Sequence, residues 1–520
     1  MSAPQAETIV RISETTLNLF QQLDITTALL AMLPELLLAL TAVLVVMLDL
    51  VLKREQAWLN GMLAMAGTLM AFAVAVPLGF DSLGMRDSVL LGTYLVDPLT
   101  GLLRVLAIGT LLATLAMSLI DRRLAAYHTG EYYALLLMAT TAMCLMVAAG
   151  NLVLFLLAFE TLSLFSYVLV AYLKGTRLSS EASLKYLLFG AMASGVMFCG
   201  LSYLYGLSGT METTRAVTGA FESANPVLAM LALIMVLAGL GFKISMVPFH
   251  FWTPDAYTAA PTPVAAWLSV ASKAAALGVL VRLVWPLGDL LYRQAEPLML
   301  AADIPALFGV LAILTMSLGN LAALRQHDFK RLFAYSSIAH AGYMLMAFAS
   351  LSTPALAGLL GYLPIYLCMN MAAFLFVVMA DNDRQTTEIS AFRGYFHQRP
   401  LAVVMLAIVM FSLIGLPPVA GFLAKFWLFL GVMKAEGAAS AWPIMLVVVA
   451  VLNTVVSLYY YVYPLKVMIL EKAEGDAPAA VAPAPAALVL LALLVLPLLL
   501  VFVMWSPFQQ LMHAVALNLR

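Results

Sequence analysis

The chain has 520 residues, of which 64% are apolar and 10% charged, with a formal net charge of −1. Soluble domains carry about 45–50% apolar and about 25% charged residues, so too few polar side chains are present to coat a soluble particle of this size. Composition excludes a cytosolic enzyme, a disordered chain and a basic nucleic-acid-binding surface, and leaves a polytopic membrane protein.

In chain order, the N-terminal arm 1–24 has an alternating polar pattern and lacks the charged, apolar, small-residue order of a cleavable leader. A bilayer core of about 30 Å takes about 20 helical residues. On that measure spans are predicted near 28–52, 57–80, 96–120, 132–149, 151–173, 183–207 and 226–249. A second set follows near 262–286, 303–323, 330–350, 355–380, 398–430, 441–466 and 486–506. The expected fold is therefore all-α with about 14 membrane-spanning helices. Between the second and third spans, the alternation in DSVLLGTYLVDP predicts a small hairpin outside the bilayer near 85–95. The cysteines Cys144, Cys199 and Cys368 lie in apolar runs without CxxC spacing, which offers neither a disulfide framework nor a thiolate metal site. Nucleotide-loop, HExxH and GxSxG patterns are absent.

With the N-terminus outside, fourteen Lys and Arg residues fall on the inner side, among them Lys53, Arg122, Lys330, Arg331 and Arg393. Six fall outside, among them Arg11, Arg215 and Lys434. This excess follows the positive-inside rule and places both termini on the outer, periplasmic side of a bacterial inner membrane.

Charges left inside the apolar spans point to function, because a Lys or Asp at a helix centre costs about 2.5–3.5 kcal/mol. They are Arg104, Lys185, Lys243, Lys273, Arg282 and Lys425, with Glu35, Asp97 and Glu160. Lys185 and Arg282 stand within about a turn of a span end, where a long side chain can snorkel to the interface. Glu160, Lys243, Lys273 and Lys425 have apolar sequence on both sides. Helix breakers accompany two of the lysines: Pro248 follows Lys243, and Pro417, Pro418 and Gly421 precede Lys425. Freed carbonyls at membrane depth are tolerable only where protein or a wet cavity satisfies them, and paired broken helices mark ion paths in inverted-repeat transporters. The expected halves are 132–286 and 303–466, five helices each, after an N-terminal group 1–131 and before a last helix in 486–520. Lys243 and Lys425 are 182 residues apart, near the 171-residue offset between the halves. His250 is a relay candidate by its ordinary pKa near about 6.5, and His340 a lesser one. No histidine pair has metal-ligand spacing.

The stretches FLLAFETLSLFSYVLVAY, SSEASLKYLLFGAMASGVMFCGLSYLYGLSG, GFKISMVPFHFWTPDAYTAAPTPVAAWLSVASKAA, GNLAALRQHDFKRLFAYSSIAHAGYML and FSLIGLPPVAGFLAKFWLF resemble the antiporter-like subunits of respiratory complex I, the proton-pumping NADH:quinone oxidoreductase. Among these the N type is the most similar: the long C-terminal lateral helix of L-type subunits is missing, and Lys425 stands where M-type subunits have a glutamate. The resemblance covers nearly the whole chain. It implies inverted repeats over helices 4–8 and 9–13, and carries the family's functional positions onto Glu160, Lys185, Lys243, Lys273 and Lys425 as stations for proton translocation, with Glu160 as the partner of Lys243. It implies no cofactor in this chain; NADH, FMN, iron–sulfur clusters and quinone would belong to other subunits. Implied partners are the M-type antiporter-like subunit, the small K-, J- and A-type subunits and, indirectly, the hydrophilic NADH-oxidising arm, with lipid around them and no nucleic acid. Alternatives from other classes are a subunit of a multisubunit sodium/proton antiporter and a structural membrane scaffold.

Overall fold

The computed structural model describes residues 25–53, 56–84, 87–127, 129–173, 177–288, 303–434, 442–472 and 485–519. The N-terminal arm and several residues of the basic count, including Arg11, Arg54, Arg86, Lys174, Arg293 and Arg520, lie outside them.

A short helix α1 (Ile25–Ala31) leads into α2 (Leu33–Val51) and α3 (Trp58–Asp81). The predicted hairpin follows as β1 (Asp87–Val89) and β2 (Tyr94–Val96), antiparallel with Ser88 opposite Leu95. Its turn runs through Leu90, Leu91 and Gly92, all at positive φ. Then come α4 (Pro98–Ile120), α5 (Gly130–Val147), α6 (Leu152–Val170), α7 (Arg177–Ser208), the short α8 (Thr213–Phe221) and α9 (Pro226–Ile244). The second part of the chain holds α10 (Trp252–Ala259), α11 (Thr262–Gly288), α12 (Asp303–Ala323), α13 (Phe329–Leu345) and α14 (Thr353–Arg384). It ends with α15 (Pro400–Ile414), α16 (Ala420–Met433), α17 (Trp442–Leu470), α18 (Pro485–Val503) and α19 (Trp505–Leu517).

Helix starts are written locally. Asp97, Asn151, Asn225, Asp328 and Ser352 each accept a hydrogen bond from the backbone N–H three residues on, which satisfies one of the orphan donors of a first turn. Pro98 and Pro226 follow two of these caps, where a missing N–H costs nothing. Among the described residues, thirteen helical segments are long and apolar enough to cross a membrane, and the shorter α15 and α16 together fill the predicted span 398–430. The fourteen expected crossings are thus present. α11 is buried along its whole apolar window, whereas only 22% of the window of the span beginning with α3 is buried and the rest is half-buried or exposed. Leu, Val and Met among those residues need no polar counterpart in lipid.

Both predicted breaks are present and alike. α9 ends at Ser245 (φ 65°) before a cis Val247–Pro248 bond, and α15 ends at Gly415 (φ 88°) before a cis Pro417–Pro418 bond. Gly415 follows Ser245 by 170 residues, as Pro418 follows Pro248. A second feature also occurs twice. Asn151, the cap of α6, bridges to Glu212, and Asp328, the cap of α13, bridges to Glu388. A departure from the expected regular helix lies in α11, where Leu268–Ser272 forms a π-helical turn directly before Lys273. Such turns commonly occur at functional positions.

Candidate functional site

Lys243 lies in the last turn of α9 and is 1% exposed. Its Nζ donates to Ser166 Oγ at 3.5 Å and faces three rings, those of Phe159, Tyr167 and Tyr186, at 5.5, 5.7 and 5.9 Å. Rings at this range favour the charged ammonium through their quadrupoles. Glu160, expected as its direct partner, is half-buried beside Phe159 on α6, and its Oε1 is buried without a hydrogen-bond partner. The contact of Lys243 is therefore a hydroxyl in an aromatic box, with the carboxylate outside that hydrogen bond.

Lys185 is not enclosed in the same way. Its side chain is 43% exposed and pairs with Glu181 at 2.8 Å and with Asp255 of α10 at 3.0 Å. Asp255 stands in the VPFHFWTPDAY stretch and is a site acid that the sequence analysis does not single out.

Lys273 is buried at the end of the π turn of α11. It donates to the Ser337 carbonyl at 2.9 Å and also to the Ser337 hydroxyl. Ser337 belongs to α13, so this contact joins α11 to α13. One turn further along α13, His340 contacts Tyr362 Oη at 2.7 Å and Tyr461 Oη at 3.2 Å, and Tyr461 in turn bonds Ser336. Lys425, in α16, donates to the carbonyls of Leu413 and Ile414 at 3.0 and 2.9 Å and lies 4.6 Å from the centre of the Tyr343 ring. From Tyr343 the polar series continues to Asn320, Asn453 and Tyr460.

The two break-associated lysines are not in equivalent sequence positions. Lys243 precedes its left-handed residue, whereas Lys425 follows Gly415, so their 182-residue separation exceeds the 170 residues between the breaks. Each is nevertheless associated with the C-terminal end of the helix before its break. Lys243 sits within the C-terminal turn of α9, and Lys425 reaches back to the C-terminal carbonyls of α15. A helix C-terminus carries about half a negative charge, which favours a cation there.

His250 is buried, but its Nδ1 has no hydrogen-bond partner and its ring lies against Phe251. The structure joins His340 to the polar series and leaves His250 beside it. Arg282 does not snorkel. It is buried and holds Asp97 through two bonds of 2.6 and 2.9 Å, with Val147 O and Thr100 Oγ1 as further acceptors. Asp97 also accepts from the Thr100 backbone N–H at 2.8 Å, so its carboxylate is held by Arg282 and by the first turn of α4. A second buried pair, Arg104 with Glu35 at 2.9 Å, is joined by Tyr94 of β2. Serines, tyrosines and asparagines complete the series, and in apolar runs these types are indistinguishable from packing residues. Among the described residues, no three His, Cys, Asp or Glu side chains gather as a metal site would require.

Titratable side chains in a buried polar series, interrupted by half-helix ends, can hold and pass protons; they offer no electron carrier. Comparison with known proteins agrees with this chemistry. Residues 149–456 match the family described as NADH:quinone oxidoreductase/Mrp antiporter, TM. The chain is 36% identical over 454 residues to NADH-quinone oxidoreductase subunit N of Anaeromyxobacter sp. (strain Fw109-5), covering 84% of this chain and 87% of that protein. A chain of respiratory complex I from Thermus thermophilus with bound aureothin is similar in structure, with a TM-score of 0.75 and 30% identity, covering 92% of this chain and 98% of that one. A chain of the Mrp complex from Dietzia sp. DQ12-45-1b superposes with a TM-score of 0.80 at 20% identity over 94% of this chain and 97% of that one, a likeness of fold alone.

Proposed function

The chain belongs to the NADH-quinone oxidoreductase subunit N family, and from that premise we propose how it acts as a proton-translocating membrane-arm subunit of that translocase. Protons pass through Glu160, Lys185, Lys243, Lys273 and Lys425, with His340 serving between the last two. The five-helix units 132–286 and 303–466 act as two half-channels. The observation that carries this reading is the hydrogen bond from Lys273 to Ser337, which joins the buried groups of one half to those of the other.

Moving one charge against 100 mV requires about 2.3 kcal/mol. That energy comes from redox chemistry in other subunits, which hold NADH, FMN, iron–sulfur clusters and quinone, and reaches this chain through its M-type and small K-, J- and A-type neighbours. The basic residues put both termini on the periplasmic side of the inner membrane. In this chain, an ammonium beside a carboxylate, a ring or a helix end changes its hold on a proton as that neighbour moves. At an effective dielectric of 20, a pair at about 4 Å is worth about 4 kcal/mol, and at twice the distance about half of that. Sub-helical shifts are therefore sufficient.

The test is NADH-driven acidification of inverted membrane vesicles carrying Lys243→Met, Lys273→Met or Lys243→Arg, normalised to NADH oxidised and to assembled complex. All three should move fewer protons per NADH. The Arg variant is included because a guanidinium keeps its proton throughout, with a pKa above about 12. Parental pumping by an assembled Lys243→Arg complex would refute a protonation cycle at this position.

A further inference from the structure

Lys330 opens α13 and was counted from sequence as an inner-loop residue, yet it is only 7% exposed. Its Nζ donates to the carbonyls of Thr258 and Ala260 at 2.8 and 2.6 Å. Those carbonyls end α10, the half-helix beyond the first break, where orphan acceptors must be satisfied. The following Pro261 and Pro263 have no N–H to offer. The next residue, Arg331, reaches the side of the same half-helix, its Nη1 lying 3.4 Å from Asp255 Oδ1. Lys185 holds the other oxygen of Asp255. Two consecutive residues of the second half thus grip an eight-residue helix of the first.

The far end of α10 touches the Lys243 box. Trp252 opens the helix, donates Nε1–H to the Phe242 carbonyl at 2.9 Å and stacks on Tyr186 at 4.3 Å. Thr253 donates to the hydroxyl of Ser245, the residue at which α9 breaks, at 2.8 Å. A displacement of α10 therefore moves a ring that faces Lys243 and the residue that ends its helix. The charges around the clamp are Asp121 at the end of α4, Asp328 at the start of α13, Asp381 of α14 and Arg123, which pairs with Asp381 at 2.6 Å. Glu181 and Lys185 complete the Asp255 side.

We propose that Lys330 and Arg331 of the second half clamp α10, making Lys330 a positioning residue that sets the surroundings of Lys243 and couples the two half-channels mechanically. The clamp rests on the reading of Lys243 as a proton station. It needs no proton on or off Lys330; the ammonium serves as a fixed donor to two carbonyls.

The experiment uses the intact complex in inverted vesicles and measures protons moved per NADH oxidised across a pH series, for Lys330→Met, Lys330→Arg and Lys243→Met. Lys330→Met should lower the ratio about fivefold, the scale of one lost interaction of about 1 kcal/mol, and displace the pH profile. Lys330→Arg retains charge and donors and should keep most of the parental ratio. A Lys330→Met complex with parental ratio and profile overturns the clamp. So does a Lys330→Arg complex as impaired as Lys330→Met, since that outcome marks a proton carrier. Normal pumping by Lys243→Met overturns the path itself, whereas failure of Lys243→Met beside a parental Lys330→Met removes only the clamp. If Lys330→Met does not assemble, Arg331→Gln and Asp255→Asn decide: each breaks the same contact, so the double variant should be no worse than the poorer single one, and additive losses overturn the proposal.

Discussion

Lys273 and Ser337 join α11 to α13 through a hydrogen bond of 2.9 Å from the ammonium to the serine carbonyl. Ser337 stands nine residues after the cap of α13, as Glu160 stands nine residues after the cap of α6. α6 offers an acid at this register and α13 a hydroxyl. A carboxylate placed there would hold Lys273 as an ion pair worth about 4 kcal/mol at 4 Å, if the effective dielectric is 20. Ser337→Asp is accordingly expected to assemble and to pump at least about tenfold less, because 1.36 kcal/mol already corresponds to tenfold. Ser337→Ala leaves the carbonyl in place and should keep most of the parental pumping. Proton uptake per NADH in vesicles measures both.

The histidines separate by their contacts. His340 lies between the hydroxyls of Tyr362 and Tyr461, whereas His250 Nδ1 has no partner. His340→Phe removes two hydrogen bonds and leaves both tyrosines short of one, a loss of about 1–3 kcal/mol for each buried group left unpaired. It should depress pumping severalfold, while His250→Ala should remain within about twofold of the parent. Equal losses in the two variants, at equal assembly, would contradict the placement of His340 in the path.

Gly421 is required by close approach. A Cβ there would lie 1.9 Å from the Ser412 carbonyl oxygen, so α16 could not stay against α15. The same approach brings Lys425 to the carbonyls of Leu413 and Ile414. Gly421→Ala should therefore reduce pumping much as Lys425→Met does, although it adds one methyl group and removes no charge. Overpacking of this kind costs about 1–3 kcal/mol, so reduced assembly on native gels is expected as well. Gly195, whose Cβ would meet nothing within 4 Å, is the control, and Gly195→Ala should be silent.

Arg282 and Asp97 bear on assembly more than on transport. Removing Arg282 leaves a buried carboxylate uncompensated, and breaking such a pair costs about 3–5 kcal/mol. Arg282→Met should lower the amount of complex sharply, and the double change Arg282→Met with Asp97→Leu should restore part of it. The amount of assembled complex on native gels checks both.

Much of the architecture was legible before any coordinates. Hydrophobic length decides whether a segment can cross a bilayer, and the fourteen expected crossings are found, including the one divided between α15 and α16. Proline removes a backbone donor wherever it stands, so the interruptions beside Lys243 and Lys425 could be read from Pro248 and from Pro417–Pro418. The hairpin at Asp87–Val96 followed from alternating apolar residues and a glycine between them. Buried lysines announce themselves because their cost in an apolar run is large.

The partners of those lysines were beyond the reach of sequence. Asp97 and Arg282 are 185 residues apart, Lys330 and Ala260 are 70 apart, and the hydrogen bond of Lys243 goes to Ser166, 77 residues away. Arg282 looked able to snorkel and Lys330 looked exposed, because distance from a span end was their only measurable property. A hydropathy pattern reports how one segment meets the bilayer and is blind to what neighbouring helices present at the same depth. Sequence by itself determined a fourteen-span helical membrane protein with two interrupted helices and buried lysines. Only the packing of those helices decided that Lys243 faces three rings and a hydroxyl, that Lys273 crosses to Ser337, and that Lys330 holds α10. Hydrogen bonds reach about 3 Å, and tertiary packing alone brings groups so distant in the chain within that range.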